Sequence, residues 1–389
     1  MNSANDAEAE FLHEDRLALL QNLENALDFA VVPPTIWACL WLSDIANLRN
    51  LVSRVQQDSI PWPSHFRNIE SELQLVKMWT QRSASASDAS TPLQSLTPQG
   101  QQGGSASNSS TPQTLANPLF TSPLRGDRGR KRTASGQPRP FPAESSSAGS
   151  GRRSRSARDL CQKRDKWKCV LTKDDGAVEV AHIYPFCMRH VIDSPPAAGR
   201  TVTFWNALRL FWSEDRVRAW LRSIFPAGTE VCNNMISLTA TAHKYWSNGY
   251  FALKPVELSD DQKRLQVRFY WLSKNPYVPI ANITTFPSLS LEDSDHGPGA
   301  ARLFDHEDCK VIRSGDTFTL ETDDPDSQPL PDFKLLELQW FLQRLTALSG
   351  AADAPDDDDD DDSEFGDEYG NIYESDIDVG GPVEGRERF

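Results

Sequence analysis

The sequence predicts an α+β chain: a small helical region, then a finger of two short strands and a helix, with a helical insertion, added β-strands and a closing C-terminal helix. Three observations predict it. Apolar residues recur near a helical period early in the chain and again before Gly350. Leu265, Val267, Phe269 and Trp271 alternate as a half-buried strand does. His182 stands at the end of one short β-run, Asn234 at the start of another, and His243 early in the helix that follows.

Taken in order, residues 1–82 read as a helical region. Phe11, Leu17, Leu20, Leu23, Leu27 and Phe29 form one apolar run, Pro33-Pro34 ends it, and Trp37, Leu40, Leu42, Ile45, Leu48 and Leu51 form a second. A third run, Phe66 to Trp79, follows Pro61-Trp62-Pro63. Such stripes mean helices packed on one another, and the region is a candidate for partner binding or self-association. Residues 83–157 are rich in Ser, Thr, Pro, Gly and Gln; they cannot bury enough surface to offset chain entropy and are predicted to be disordered. Two basic clusters there, Arg130-Lys131-Arg132 and Arg152-Arg153, have the composition of a two-part nuclear import signal.

Order is predicted to resume near Asp159, in a folded region spanning 158–350. Lys163, Arg164, Lys166 and Lys168 flank Trp167, and Arg164, Lys166 and Lys168 are candidate phosphate contacts. Cys169 to Thr172 reads as a short strand, Asp174-Asp175-Gly176 as a turn and Val178 to Ile183 as the returning strand. Thr203 to Phe225 fills the gap before Asn234 with one or two amphipathic helices whose tryptophans belong to a core. Tyr250 to Val256 reads as a strand and Lys310 to Glu321 as a hairpin about Ser314-Gly315-Asp316. A last helix starts at Pro331-Asp332 and stops at Gly350.

The formal net charge is -15, but the tail at 351–389 holds sixteen acidic residues against two arginines, so the body is close to neutral and the low pI does not argue against a nucleic-acid partner. The tail is predicted to be extended and disordered. Six scattered cysteines without a C-x-x-C pair suggest reduced thiols, and no apolar run reaches the ~20 residues that span a bilayer. The expectation is an intracellular protein, in nucleus or cytoplasm, not secreted and with no membrane partner.

Hydrolysis of a phosphodiester needs an activated water and a cation on the phosphate. Imidazole suits proton abstraction near neutrality, which makes His182 the candidate general base. Asn234 is its candidate orienter through the side-chain carbonyl, and His243 a candidate metal ligand. The Ala181-His182-Ile183-x-Pro185 segment, the aromatic insertion, Asn-x-Ile-x-Leu-x-x-x-x-His and Phe251-Ala252-Leu253-Lys254-Pro255 occur in an order that resembles the HNH endonuclease family, more closely the HNH-domain proteins of filamentous fungi. The resemblance covers roughly 159–352. It implies a ββα-metal fold, a divalent cation (magnesium first; manganese, nickel or zinc as alternatives) and cleavage of nucleic acid, with DNA ahead of RNA. Two positions depart from the family pattern: Ala181, where many members carry a ligand before the base, and Ser247, four residues after the helix histidine. Glu179, Cys187 or His190 could complete the donor set, and magnesium needs few protein donors. The same departures support an alternative, a catalytically degenerate domain that binds nucleic acid or acts as a scaffold.

Overall fold

A computed structural model of the chain describes residues 8, 10–27, 29–57, 60–73, 76–80, 154–191, 203–225, 227–288, 291 and 293–350. The clusters at 130–132 and 152–153 and the acidic tail lie outside these residues.

The N-terminal apolar runs become α1 (Glu14–Leu27), α2 (Pro34–Leu42), α3 (Ile45–Gln57), α4 (Trp62–Leu73) and α5 (Lys77–Thr80), with a two-residue strand, β1 (Val31–Val32), after the first. The second run is split into two helices at Ser43-Asp44. Pro34 opens α2, where a missing backbone N–H is no loss.

Helix α6 (Arg155–Arg164) begins inside the stretch read as linker. Ser154 caps it, its Oγ accepting the Ala157 amide at 3.2 Å, and Ala157, Cys161 and Arg164 make one buried face. Strand β2 (Val178–His182) follows, then the insertion as α7 (Phe204–Phe211) and α8 (Glu214–Ile224). Strand β3 (Met235–Thr239) pairs antiparallel with β2 and runs directly into α9 (Ala240–Ser247), capped by Thr239. The segment Cys169–Thr172 is a turn and not the strand read from its β-formers. The Lys173 and Thr172 amides return to the Cys169 carbonyl and Sγ, at 3.1 and 3.3 Å.

Strands β4 (Phe251–Leu258) and β5 (Arg264–Trp271) form a three-stranded antiparallel sheet with β9 (Thr317–Glu321), in the order β4-β5-β9. The short β6 (Ala281–Asn282) pairs with β1, and β7 (Phe304–Asp305) with β8 (Lys310–Val311). Lys310 to Glu321 is therefore not a hairpin. Its turn residues bond to β5 instead: the Gly315 amide to the Phe269 carbonyl at 2.8 Å, and the Trp271 amide to Ser314 Oγ at 2.9 Å.

Helix α10 (Phe333–Ser349) starts on Asp332, whose Oδ1 accepts from the Lys334 and Leu335 amides at 2.7 and 3.0 Å, and stops at left-handed Gly350, φ 68°. It is buried nearly all round, packed between α2, α5, α8 and β4. Its polar residues are matched individually. Gln343 accepts the Trp79 indole N–H at 2.8 Å and donates to the Trp246 carbonyl at 2.9 Å, and Arg344 pairs with Glu10 at 2.6 Å. The N-terminal helices thus share one hydrophobic cluster with the finger. A fragment that starts at residue 158 lacks Glu10, Trp79 and the cover of α2 and α5. It is expected to lose near-UV circular dichroism and to aggregate on size exclusion, where the full chain does not.

Candidate functional site

His182 is the last residue of β2 and lies across the ladder from Met235. Strand alternation sends Val180 and His182 toward α6, where Val180 clusters with Met235, Cys161 and Cys232. Glu179 and Ala181 face α9, where Ala181, Ile236, Leu238, Ala242 and Trp246 join the main core. The His182 ring Nε2–H donates to Glu230 Oε1 at 2.6 Å. A carboxylate only accepts, so this contact places the proton on Nε2 and the basic lone pair on Nδ1. The other Glu230 oxygen accepts the Ser154 amide at the start of α6, a favourable place for an anion. The His182 carbonyl takes the Trp246 indole N–H at 3.1 Å. The histidine is therefore held through its ring and its backbone. Glu230 escaped the sequence reading: an acid four residues before Asn234 looks like any loop carboxylate until folding brings it across to β2.

Asn234 does not orient the ring, contrary to the sequence reading. Its Oδ1 accepts the Tyr184 amide at 2.7 Å, and its Nδ2 donates to the carbonyls of Tyr184 and Thr229 at 3.1 and 2.9 Å. The backbone after His182 turns away from the strand and leaves these groups unpaired and buried, and a side-chain amide satisfies both senses at once. Asn234→Ala is expected to destabilise the chain by about 1–3 kcal/mol, read by denaturant melts, because it strands these buried groups.

On the other face, the His243 Nδ1–H donates to Glu179 Oε2 at 2.6 Å. The structure thus brings the two candidate metal residues together, with Glu179 in the position of a carboxylate that fixes the imidazole and leaves Nε2 as the donor. The two usual companion positions, Ala181 and Ser247, are 0% and 4% exposed and offer no third strong donor. Cys187 donates its thiol to the Met78 carbonyl at 3.3 Å, and His190 is exposed. Among the described residues no three His, Cys, Asp or Glu side chains group as a metal set. This donor set does not fit a tetrahedral zinc site. His243, with Glu179 on its other ring nitrogen, is left as the candidate ligand, and a hard divalent ion held there would keep most of its waters.

Arg164 is not the phosphate contact expected from its basic surroundings. It is 3% exposed and has no face for phosphate. Its guanidinium bonds both Asp165 oxygens at 2.8 and 3.0 Å and the carbonyls of Cys232, Pro329 and Met235 at 3.1, 2.9 and 2.8 Å. Burial alone would depress it, but Asp165 and then Cys161 beside it more than offset that and hold it above arginine's usual range. Burial pushes the Cys161 thiol up, although Arg164 pulls the other way. Lys166 and Lys168 are exposed on the turn that follows.

No helix among the described residues is long and apolar enough to cross a membrane. No curated protein and no solved structure matches the chain. Residues 169–254 match the family model of the HNH endonucleases. That span holds the β2–β3–α9 finger, both dyads and the α7–α8 insertion, and over it the chain is similar to the HNH endonucleases.

Proposed function

We propose that this chain is an HNH-type, metal-dependent endonuclease that hydrolyses phosphodiester bonds of nucleic acid, with His182 as general base. The His182–Glu230 pair supports this reading above all: a buried-edge imidazole whose proton is fixed on Nε2 by a carboxylate is built to take a proton at Nδ1. Glu230 also stabilises the imidazolium that forms. Asn234 holds the loop after His182 in place, and His243 with Glu179 would hold the cation. A divalent ion supplies charge stabilisation on the phosphate when bound. The basic clusters at 130–132 and 152–153 would carry the chain to the nucleus, an idea that cytoplasmic retention of a fluorescent fusion overturns.

The test is plasmid nicking and single-strand cleavage by the full chain with magnesium, manganese, nickel and zinc, alongside His243→Ala. Cutting with magnesium or manganese that falls on the order of 100-fold in His243→Ala is the expected result. One observation favours a second reading, a degenerate domain that binds without cutting: strand alternation puts the His182 and His243 pairs on opposite faces of the hairpin, and Ala181 and Ser247 add no ligand. Folded protein that binds nucleic acid and cuts with none of the four metals decides for it.

A further inference from the structure

Ten of the eleven tryptophans are at most 5% exposed, and Trp167 is 56% exposed. Backbone geometry puts it outside. Helix α6 ends in a reversal in which Lys166 and Trp167 both take left-handed conformations, φ 54° and 60°. The Trp167 amide returns to the Gln162 carbonyl at 2.8 Å and the Lys166 amide to Lys163 at 3.2 Å, the pattern of a helix stop that ordinarily uses glycine. The base of the turn is fixed: Asp165 is clamped by buried Arg164 and accepts the Ser237 amide of β3 at 2.9 Å. An indole is thus held out on a rigid turn. Among the described residues no side-chain hydrogen bond or ring contact engages it, and exposed Lys163, Lys166 and Lys168 are its near neighbours in the chain.

We infer that the turn at 165–168 is a stacking site for single-stranded nucleic acid: the Trp167 indole takes an unpaired base on its face, and Lys166 and Lys168 take the flanking phosphates. The groove beside the turn, about 330 Å³, has Lys166, Lys168 and Lys173 on its wall together with Glu307 and Glu321. The two glutamates repel phosphate and so confine a strand to the lysine side. A base must leave its duplex stack to offer a face to an indole, and this selects single strands or frayed ends. Because the turn is bonded to β3, whose partner β2 ends in His182, a strand stacked there is fixed relative to the candidate base. The inference rests on the proposed function only in taking nucleic acid as the ligand.

The experiment uses the full chain in EDTA, so that binding is read without cleavage, and measures anisotropy of labelled oligo-dT and of a hairpin duplex. Trp167→Ala is expected to weaken oligo-dT binding on the order of tenfold or more, with little change on duplex, and Trp167→Phe to retain most of it. Oligo-dT should quench the intrinsic fluorescence of wild type but not of Trp167→Phe. Lys166→Ala with Lys168→Ala should reduce the salt slope on single strands by about 1.4. Oligo-dT binding unchanged in a Trp167→Ala variant with native circular dichroism overturns the inference. So does loss in that variant of binding to an Asp-rich peptide alone, which would assign the turn to acidic protein segments. Cleavage by wild type with Trp167-independent binding removes this site and leaves the nuclease reading standing; Trp167-dependent binding without cleavage does the reverse.

Discussion

His182→Ala lowers phosphodiester cleavage by about 10²–10⁴-fold, the usual contribution of a positioned general base. Glu230→Gln follows it down by a smaller factor, on the order of 10–100-fold, with the fold retained at some cost in stability. The amide keeps one oxygen for the imidazole N–H, while its NH2 faces the Ser154 amide and cannot accept from it, so the contact at the end of β2 survives and the tie to the start of α6 is lost. What it removes is the negative charge that stabilises the imidazolium once the water proton has moved. Single-turnover rates on a nicked-circle assay separate the two roles, since the binding of substrate is unaltered in both variants. Equal rates for wild type and Glu230→Gln would remove the carboxylate from the mechanism. Asn234→Ala, by contrast, acts on stability, because its amide holds backbone and not the ring. The pair of experiments therefore distinguishes a residue that acts on the base from one that acts on the loop.

Arg164→Met lowers stability by about 3–5 kcal/mol, enough to unfold a marginal chain, because it leaves the Asp165 carboxylate buried without its cation. Three carbonyls, from Cys232, Met235 and Pro329, lose a donor at the same time. The guanidinium ties α6 to the start of β3 and to the segment before α10, so melting is expected to be global. Arg164→Lys does not restore it, since an ammonium lacks the planar fork that reaches both Asp165 oxygens and the carbonyls together. Thermal melts and urea titrations read the effect. An unchanged midpoint with weakened nucleic-acid binding would return Arg164 to the phosphate-contacting role that its place between Lys163 and Lys166 suggests.

Arg164 and Trp167 show how far sequence reading extends. Composition marks a basic stretch with one tryptophan, and a basic residue beside an aromatic has no label for inside or outside. Helical phase decides it: Arg164 falls on the Ala157–Cys161 face of α6 and goes in, while the left-handed stop after it turns Trp167 out. The same limit applies to β-formers at 169–172, whose run is too short to outweigh local bonds from Thr172 and Lys173 back to Cys169.

The α+β class, the helical N-terminal run, the β2 and β3 segments, the α7–α8 insertion and the Gly350 stop follow from patterns a few residues long. Periodicity, capping residues and turn chemistry act locally, and they are written in neighbouring residues. The match to the HNH endonuclease model is likewise sequence information, carried by residues 169–254. Tertiary structure alone decided what touches what: Glu230 on His182, Glu179 on His243, Asn234 on the Tyr184 backbone, and α10 on α2 and α5, more than two hundred residues earlier in the chain. Such contacts depend on how separate elements pack and which faces they bury. No single stretch of chain holds that information, because the free energy that selects the partner is shared among all the surfaces that close together.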